Sequence, residues 1–350
     1  MKLYGRQWTR RELEARLGRL EQIGGIRRMK LLEGTEAEVE QIQVRTGSGL
    51  SYYVSPSRAL DISLAEFGGV PFSWQSINGD VHPAYYDSKG AEWLRSAAGG
   101  LLMTCGLTQV GSPAMDGTEE LGLHGRIHHT PARQVVAEGN WCGDEYELRI
   151  RGIVEEVSIF GTKLRLTREI HSKLGENRIR IHDIVENIGF YPCPHMILYH
   201  FNFGFPLMSD HTKITFPSAK VAGKNSEAYG PEGHENWQAP ELDYPERVFY
   251  HNDLTADSNG FTSVVISNPE FPLHNATGAG AIQVRLSWER NSLPQLVQWK
   301  MPDSGEYVLG IEPSNCSVEG RIAEREKGNL TILQPGEQKI YKLELEVSEG

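Results

Sequence analysis

The chain has 350 residues, 39% of them hydrophobic, and its 35 Lys and Arg against 46 Asp and Glu give a formal net charge of −11. That length suits one large β domain or two ordinary ones, no window approaches the roughly 18 apolar residues of a membrane helix, and a broadly negative chain repels phosphate backbones, which argues against nucleic acid and membrane partners. No continuous apolar segment opens the N-terminus as in a signal peptide, so a cytoplasmic protein is expected, with Cys105, Cys142, Cys193 and Cys316 as reduced, mostly buried thiols outside any C-x-x-C pair.

The first predicted element is a helix. Thr9 and Glu12 have capping-box spacing, and Leu13, Leu17 and Leu20 follow at helical intervals until Gly24 and Gly25. From about residue 35 the pattern changes to short runs rich in Val, Ile, Tyr and Phe, divided by Gly, Pro, Asn and Asp. "KLRLTREI" and "RIRIHDIV" alternate apolar and polar residues with period two, and "LGENR" between them predicts a hairpin turn. Later runs, "SVVISN", "AIQVRLSWER", "QLVQWKM" and "QKIYKLELEV", continue the strand pattern to the C-terminus. Neither G-x-G-x-x-G nor a phosphate loop occurs, and the β-α-β rhythm of nucleotide-binding folds is absent. The expected organisation is an N-terminal helical lead-in over 1–34 and one antiparallel β-sandwich domain over 35–350. Two long irregular stretches, "SINGDVHPAYYDSKGAEWLRSAAGG" and "VAGKNSEAYGPEGHENWQAPELDYPERVF", are of the kind that carries function. The N-x-S/T triplets at Asn275, Asn315 and Asn329 are read as chance matches.

Polar residues gather at four places. "SPSRALDI" holds Arg58 and Asp61, "LGLHGRIHHTPA" holds His124, Arg126, His128 and His129, "LYHFNFGFP" holds His200 and Asn202, and "GIEPSN" holds Glu312 and Asn315. Glu312 follows the apolar Val308, Leu309 and Ile311 as their strand ends, where an unpaired carboxylate is costly unless it is held for chemistry. A base, an acid and forked hydrogen-bond donors are what proton transfer on a sugar requires.

The succession "LHG", "LYHFNFG" and "GIEPSN" near the end of a β-rich chain resembles the aldose 1-epimerase (galactose mutarotase-like) superfamily. "SRALDI", "GGLLMTCGL", "LHGRIHHTPA" and "QWKMPDSGEYVLGIEP" are most similar to its bacterial branch labelled as a domain of unknown function. The resemblance runs from about residue 40 to 345. It implies a mainly β, large antiparallel sandwich of galactose-mutarotase type and an isomerase that needs no cofactor and no metal. It also implies Glu312 as general base, His200 as general acid and His124 as a substrate hydrogen-bonding residue, with Arg58 as the counterpart of an early substrate-binding Arg. Arg126, Asn202 and Lys300 complete the binding candidates, Lys300 because the branch repeats "QWKMP". The expected partner is a small sugar, and a homodimer is left open.

Each residue also has a plainer reading. His200 could be a satisfied core histidine, Arg58 and Asp61 an ion pair that pins a loop, and Trp74 and Trp299 core filling rather than sugar platforms. His128 and His129 read as part of a solvated loop. Two rival functions are a non-catalytic carbohydrate-binding protein and a metal-dependent sugar isomerase in which His124, His128, His129, His200 and Glu312 form a cage.

Overall fold

The computed structural model describes residues 1–224, 233–273 and 280–350, so Asn275 lies outside the described residues. Alternation becomes structure directly in the strands Lys163–Lys173 and Arg178–Asn187, where every second side chain is buried and the predicted "LGENR" turn joins them. They belong to an antiparallel sheet of eight strands among the described residues, which also contains Arg133–Cys142, Glu145–Val157, Gln338–Glu349, Gly280–Glu289, Phe261–Phe271 and Lys213–Thr215. A second sheet has twelve strands among the described residues. Its centre is formed by Gln295–Pro302, Tyr307–Ser314, Cys193–Gly204, Leu102–Leu107 and Asp61–Phe67, in that spatial order.

The two sheets pack face to face as the expected antiparallel sandwich. Leu166, Ile170, Val185, Leu286 and Leu343 from one meet Val54, Phe201, Leu309 and Ile311 from the other in a single apolar core. The second sheet is apolar on its other face as well, where Met103, Cys105, Leu198 and Val297 pack with Trp93 and Cys316. That is why Leu102–Leu107 and Cys193–Gly204 are buried almost throughout instead of alternating. Burying both faces takes a cover, and the long stretch around residues 76–100 supplies it, with Trp93 and Ala97 inserted into this smaller cluster.

The N-terminal helix is shorter than its leucines suggest. The capping box forms, with Thr9 N–H donating to Glu12 at 2.8 Å, but the helix spans only Arg10–Glu14 before a 3-10 turn at Leu20–Gln22. Gly18 interrupts the run, and tertiary contact replaces helical continuity: Leu13 packs on Leu3 and Leu174, with Leu17 and Leu20 beside them. The sheet starts at Gly25–Lys30, which pairs with Glu40–Arg45 across the boundary drawn at residue 34. Cys105, Cys193 and Cys316 are buried free thiols and Cys142 is an exposed one. Among the described residues no helix is long and apolar enough to cross a membrane.

Candidate active site

Register decides which side chains meet. Strands Cys193–Gly204 and Tyr307–Ser314 pair antiparallel with Phe201 opposite Ile311 and Asn202 opposite Gly310, which sets His200 opposite Glu312. The next strand places Val297 opposite Glu312 and Trp299 opposite Gly310. Directly opposed residues share a face and alternate residues return to it, so His200, Asn202, Glu312 and Trp299 stand on the face away from the main core. The strand continues two residues past Glu312, to Ser314, so the acid is held within the sheet and not at its end.

His200 Nε2 lies 3.2 Å from Glu312 Oε1, with both side chains almost fully buried. Burial, aided by the charge of Glu246 and opposed by that of Lys224, pushes the Glu312 carboxyl well above its ordinary range. Burial and the neighbouring His124 lower His200 to about 3. His200 Nδ1 and Asn202 Oδ1 are both buried without a hydrogen-bond partner, and so is the indole N–H of Trp299. Buried polar atoms are normally satisfied, so these three are open to a hydrogen-bonding ligand.

Gly310 makes the contact between acid and imidazole sterically feasible. A Cβ there would lie 2.7 Å from Glu312 Oε1, 2.9 Å from Trp299 Cβ and 3.1 Å from His200 Cε1. Only a residue without a side chain lets the three groups close over it.

His124 comes from a loop stitched to the end of strand Leu102–Leu107. Gly106 N–H donates to its carbonyl and its own N–H donates to Gly111 O, each at 3.0 Å. Gly111 N–H also approaches His124 Nδ1 at 3.4 Å, which makes Nδ1 the acceptor and puts the ring proton of the neutral imidazole on Nε2. Burial, then Lys224 and His128, hold His124 down to about 4, so it is neutral at physiological pH. Its ring stands edge-on to His200 at 6.0 Å, His200 edge-on to Trp299 at 5.6 Å, and Trp299 edge-on to Trp74 at 5.9 Å. Both tryptophans are only half-buried, which makes them a wall rather than sealed core.

Arg58 and Lys300 are not brought to this wall. Arg58 is 1% exposed and donates from Nε to Val81 O at 3.0 Å, from NH1 to His128 Nε2 at 3.0 Å and from NH2 to Ser96 O. Those bonds tie down the stretch that covers the second sheet, which is the loop-pinning role, reached through His128 and not by direct contact with Asp61. Lys300 is opposite Leu309 and three residues from Val297, so it points to the other face from Glu312. There its Nζ donates to Gly233 O at 3.0 Å and Asn236 O at 2.8 Å. Arg126 is exposed, with Tyr86 and Glu156 within range of its charge. Asn202 is buried, and its Nδ2 donates to the carbonyls of Gly100 and His200 at 3.1 and 3.0 Å.

His128 and His129 are buried, not solvated. The short turn Ile127–His129 tucks both rings inward, where His128 Nδ1 donates to Asp61 at 2.7 Å and His129 stacks on Tyr86 at 4.0 Å while meeting Ser96 Oγ at 3.0 Å. With those imidazoles committed elsewhere, no three His, Cys, Asp or Glu side chains among the described residues converge as metal ligands.

Sequence reasoning passed over Gly310 and the neighbours Lys224, Tyr250 and Glu319. The phenol of Tyr250 donates to Glu319 at 2.6 Å, and Lys224 Nζ lies 4.0 Å from the same carboxylate oxygen. Nothing in their local sequence announces them: Tyr250 reaches the Glu312 row through strand pairing, while Lys224 and Glu319 lie beyond the ends of the strands Ser218–Gly223 and Tyr307–Ser314.

Comparison with known proteins agrees with this architecture. A Klebsiella pneumoniae protein provisionally named an aldose 1-epimerase is 27% identical, superposes with a TM-score of 0.84, and the match covers 92% of this chain and 83% of that one. A galactose mutarotase-like protein from Clostridium acetobutylicum is 14% identical with a TM-score of 0.61, over 94% of this chain and 100% of its own. The galactose 1-epimerase of Lactobacillus acidophilus is 12% identical with a TM-score of 0.56, over 93% and 99% respectively. The latter two carry the fold alone. No curated protein gives a significant match. The profile of one family, described as Domain of unknown function (DUF4432), matches residues 36–347, and with nearly the whole sandwich inside that span the chain belongs to this family and has the mutarotase-like fold.

Proposed function

We propose that the protein is an aldose 1-epimerase-like isomerase that interconverts the α and β anomers of a hexose or hexose derivative. The observation that carries this reading is the buried contact of His200 with Glu312, 3.2 Å long and surrounded by unmet hydrogen-bonding capacity. Burial disfavours charge on each partner, so near neutrality the pair holds one proton between them. With that shared proton shifted onto His200, the Glu312 carboxylate takes the proton from the anomeric hydroxyl while the His200 imidazolium delivers one to the ring oxygen; the C1–O5 bond breaks and an open aldehyde forms. Rotation about C1–C2 and reclosure from the other face return both protons and give the opposite anomer. Atoms and charges balance without a redox partner.

The other groups suit a sugar held in this place. His124 Nε2–H is a donor for a ring hydroxyl, the Asn202 amide has an acceptor to spare, and the half-buried Trp74 and Trp299 offer apolar faces to C–H surfaces. Arg126, two residues from His124, is the rim candidate, whereas Arg58 acts on the site through His128 and the covering stretch. The test is anomer exchange followed by NMR over a panel of aldoses, sugar acids and phosphosugars. Exchange accelerated by wild type and lost in Glu312→Gln supports the reading. Sugar binding without exchange would instead make this a carbohydrate-binding protein.

A further inference from the structure

The polar ground beside the catalytic pair extends further than an anomeric centre requires. Tyr250 is opposite Val297, and Val297 is opposite Glu312, so the three occupy one cross-strand row on one face. Two strand spacings of about 4.8 Å put the Tyr250 backbone roughly 10 Å from that of Glu312. Lys224 joins from the neighbouring edge: its N–H donates to Val248 O at 2.8 Å, and Val248 is opposite Trp299. Tyr250 and Lys224 converge on Glu319 Oε1, at 2.6 and 4.0 Å. The charge of Lys224 acts on both Glu312 and His124, and that of Glu312 acts on Tyr250, so the trio and the pair share one electrostatic space. A single pyranose with its exocyclic carbon, gripped at C1 by the pair, reaches this far once side-chain lengths are included.

We infer that Tyr250, Glu319 and Lys224 form the subsite for the end of the sugar remote from the anomeric carbon, and that Glu319 makes this subsite select a neutral hydroxyl over a phosphate or carboxylate. This rests on the proposal that the site holds a hexose. The chemistry is that of charge cancellation. Lys224 alone would attract an anion, but Glu319 answers its charge. A hydroxyl meets no such penalty, since it can donate to Glu319 and accept from Lys224 at once.

The experiment pairs binding with turnover. Glucose, glucose 6-phosphate and glucuronate are titrated by ligand-observed NMR, and anomer exchange is measured on the same samples, for wild type, Glu319→Gln and Glu319→Gln with Lys224→Met. Wild type is expected to favour glucose over either anion by about tenfold or more, and Glu319→Gln to shift that ratio towards the anions by about tenfold, the scale of one lost like-charge contact. Adding Lys224→Met, at an exposed position, should abolish the shift. An unchanged ratio in Glu319→Gln, or a wild-type preference for an anion, overturns the inference. Selective binding with no exchange upholds the subsite and refutes the isomerase reading, whereas failure of all three sugars to bind overturns both.

Discussion

The cluster around Arg168 and the pair formed by His200 and Glu312 are both buried and ionisable, and they lie on opposite faces of one strand, since Tyr199 joins the first and His200 the second. Arg168 reaches from the eight-stranded sheet and donates from Nε and NH2 to Asp183 at 3.0 and 2.7 Å. Its NH1 donates to Asp61 at 2.7 Å and its NH2 to Thr104 at 2.8 Å, both on the opposing sheet. Asp61 also accepts from Thr104 N–H, Thr104 Oγ–H and His128, and Tyr199 donates to Asp183. Among the described residues none of the polar side-chain atoms of Arg168, Asp61 and Asp183 lacks a partner. His200 and Glu312 have one contact with each other and orphaned atoms beside them. A charge network completed from within serves the fold, while one left incomplete keeps its hydrogen-bonding capacity for whatever enters.

If that contrast is right, the two clusters fail in different currencies. Arg168→Met leaves Asp61 and Asp183 buried without their guanidinium, and should cost about 3–5 kcal/mol in urea denaturation, the range for breaking a buried ion pair. A loss below about 1 kcal/mol would mean that the network is dispensable and the contrast false.

Glu312→Gln should do the reverse. It removes a carboxyl that burial already disfavours in its charged form, so urea stability should stay within about 1 kcal/mol of wild type while anomer exchange falls by about 10²-fold or more. Equal damage to stability and activity would merge the pair with the structural cluster.

Gly310→Ala probes the geometry without replacing either His200 or Glu312. The Gly310 backbone is outside the left-handed region, so a strand can accept Ala, but the new Cβ must push Glu312 Oε1, Trp299 or His200 aside. A displacement approaching 1 Å is expected to lower kcat by roughly tenfold to 10²-fold. Wild-type kcat in a folded Gly310→Ala variant would show that the 3.2 Å contact is not needed for turnover.

What could be read beforehand follows the same division. Period-two alternation in "KLRLTREI" and "RIRIHDIV" is a local property, and those strands appear where expected. Leu13, Leu17 and Leu20 gave a local signal too, but Gly18 and packing on Leu174 overrode it. Glu312 and His200 were legible as motifs, whereas their contact depends on a register that no single segment contains. Lys300 could have been placed correctly: the "DSGE" turn pairs Pro302 with Tyr307, and counting back from it puts Lys300 on the face opposite Glu312. Arg58 gave no such clue, because its partners Val81, Ser96 and His128 are 23, 38 and 70 residues away. Long-range closure of that kind is what made a fully engaged structural arginine look like a sugar clamp.

The smallest expected effect separates the two clusters by pH. His124, His195 and His251 are held down to about 4 and His200 to about 3, in each case chiefly by burial. An unfolded chain protonates these rings near 6.5 while the native one resists, so as pH falls below 6.5 the unfolded state binds more protons and stability drops, each ring adding about 1.4 kcal/mol per pH unit until its native pKa is reached. Asp61 behaves in the opposite sense: burial pushes it up, but the His128 hydrogen bond and the charge of Arg168 outweigh that and hold it below the ordinary carboxylate range. Its contribution is present above the unfolded pKa near 3.8 and fades only below it. Between pH 7.5 and 5.5 the buried histidines, His128 among them, should therefore lower stability as pH falls, while Asp61 stays silent and the raised Glu312 carboxyl acts in the opposite sense. In His124→Gln, which keeps a carbonyl acceptor for Gly111 N–H, the fall in unfolding free energy across that window should shrink by about 1 kcal/mol relative to wild type, measured by urea titration at the two pH values. A slope unchanged in that variant would mean that His124 is solvated and protonates as freely in the native protein as in the unfolded chain, and the site wall would lose the neutral donor assigned to it.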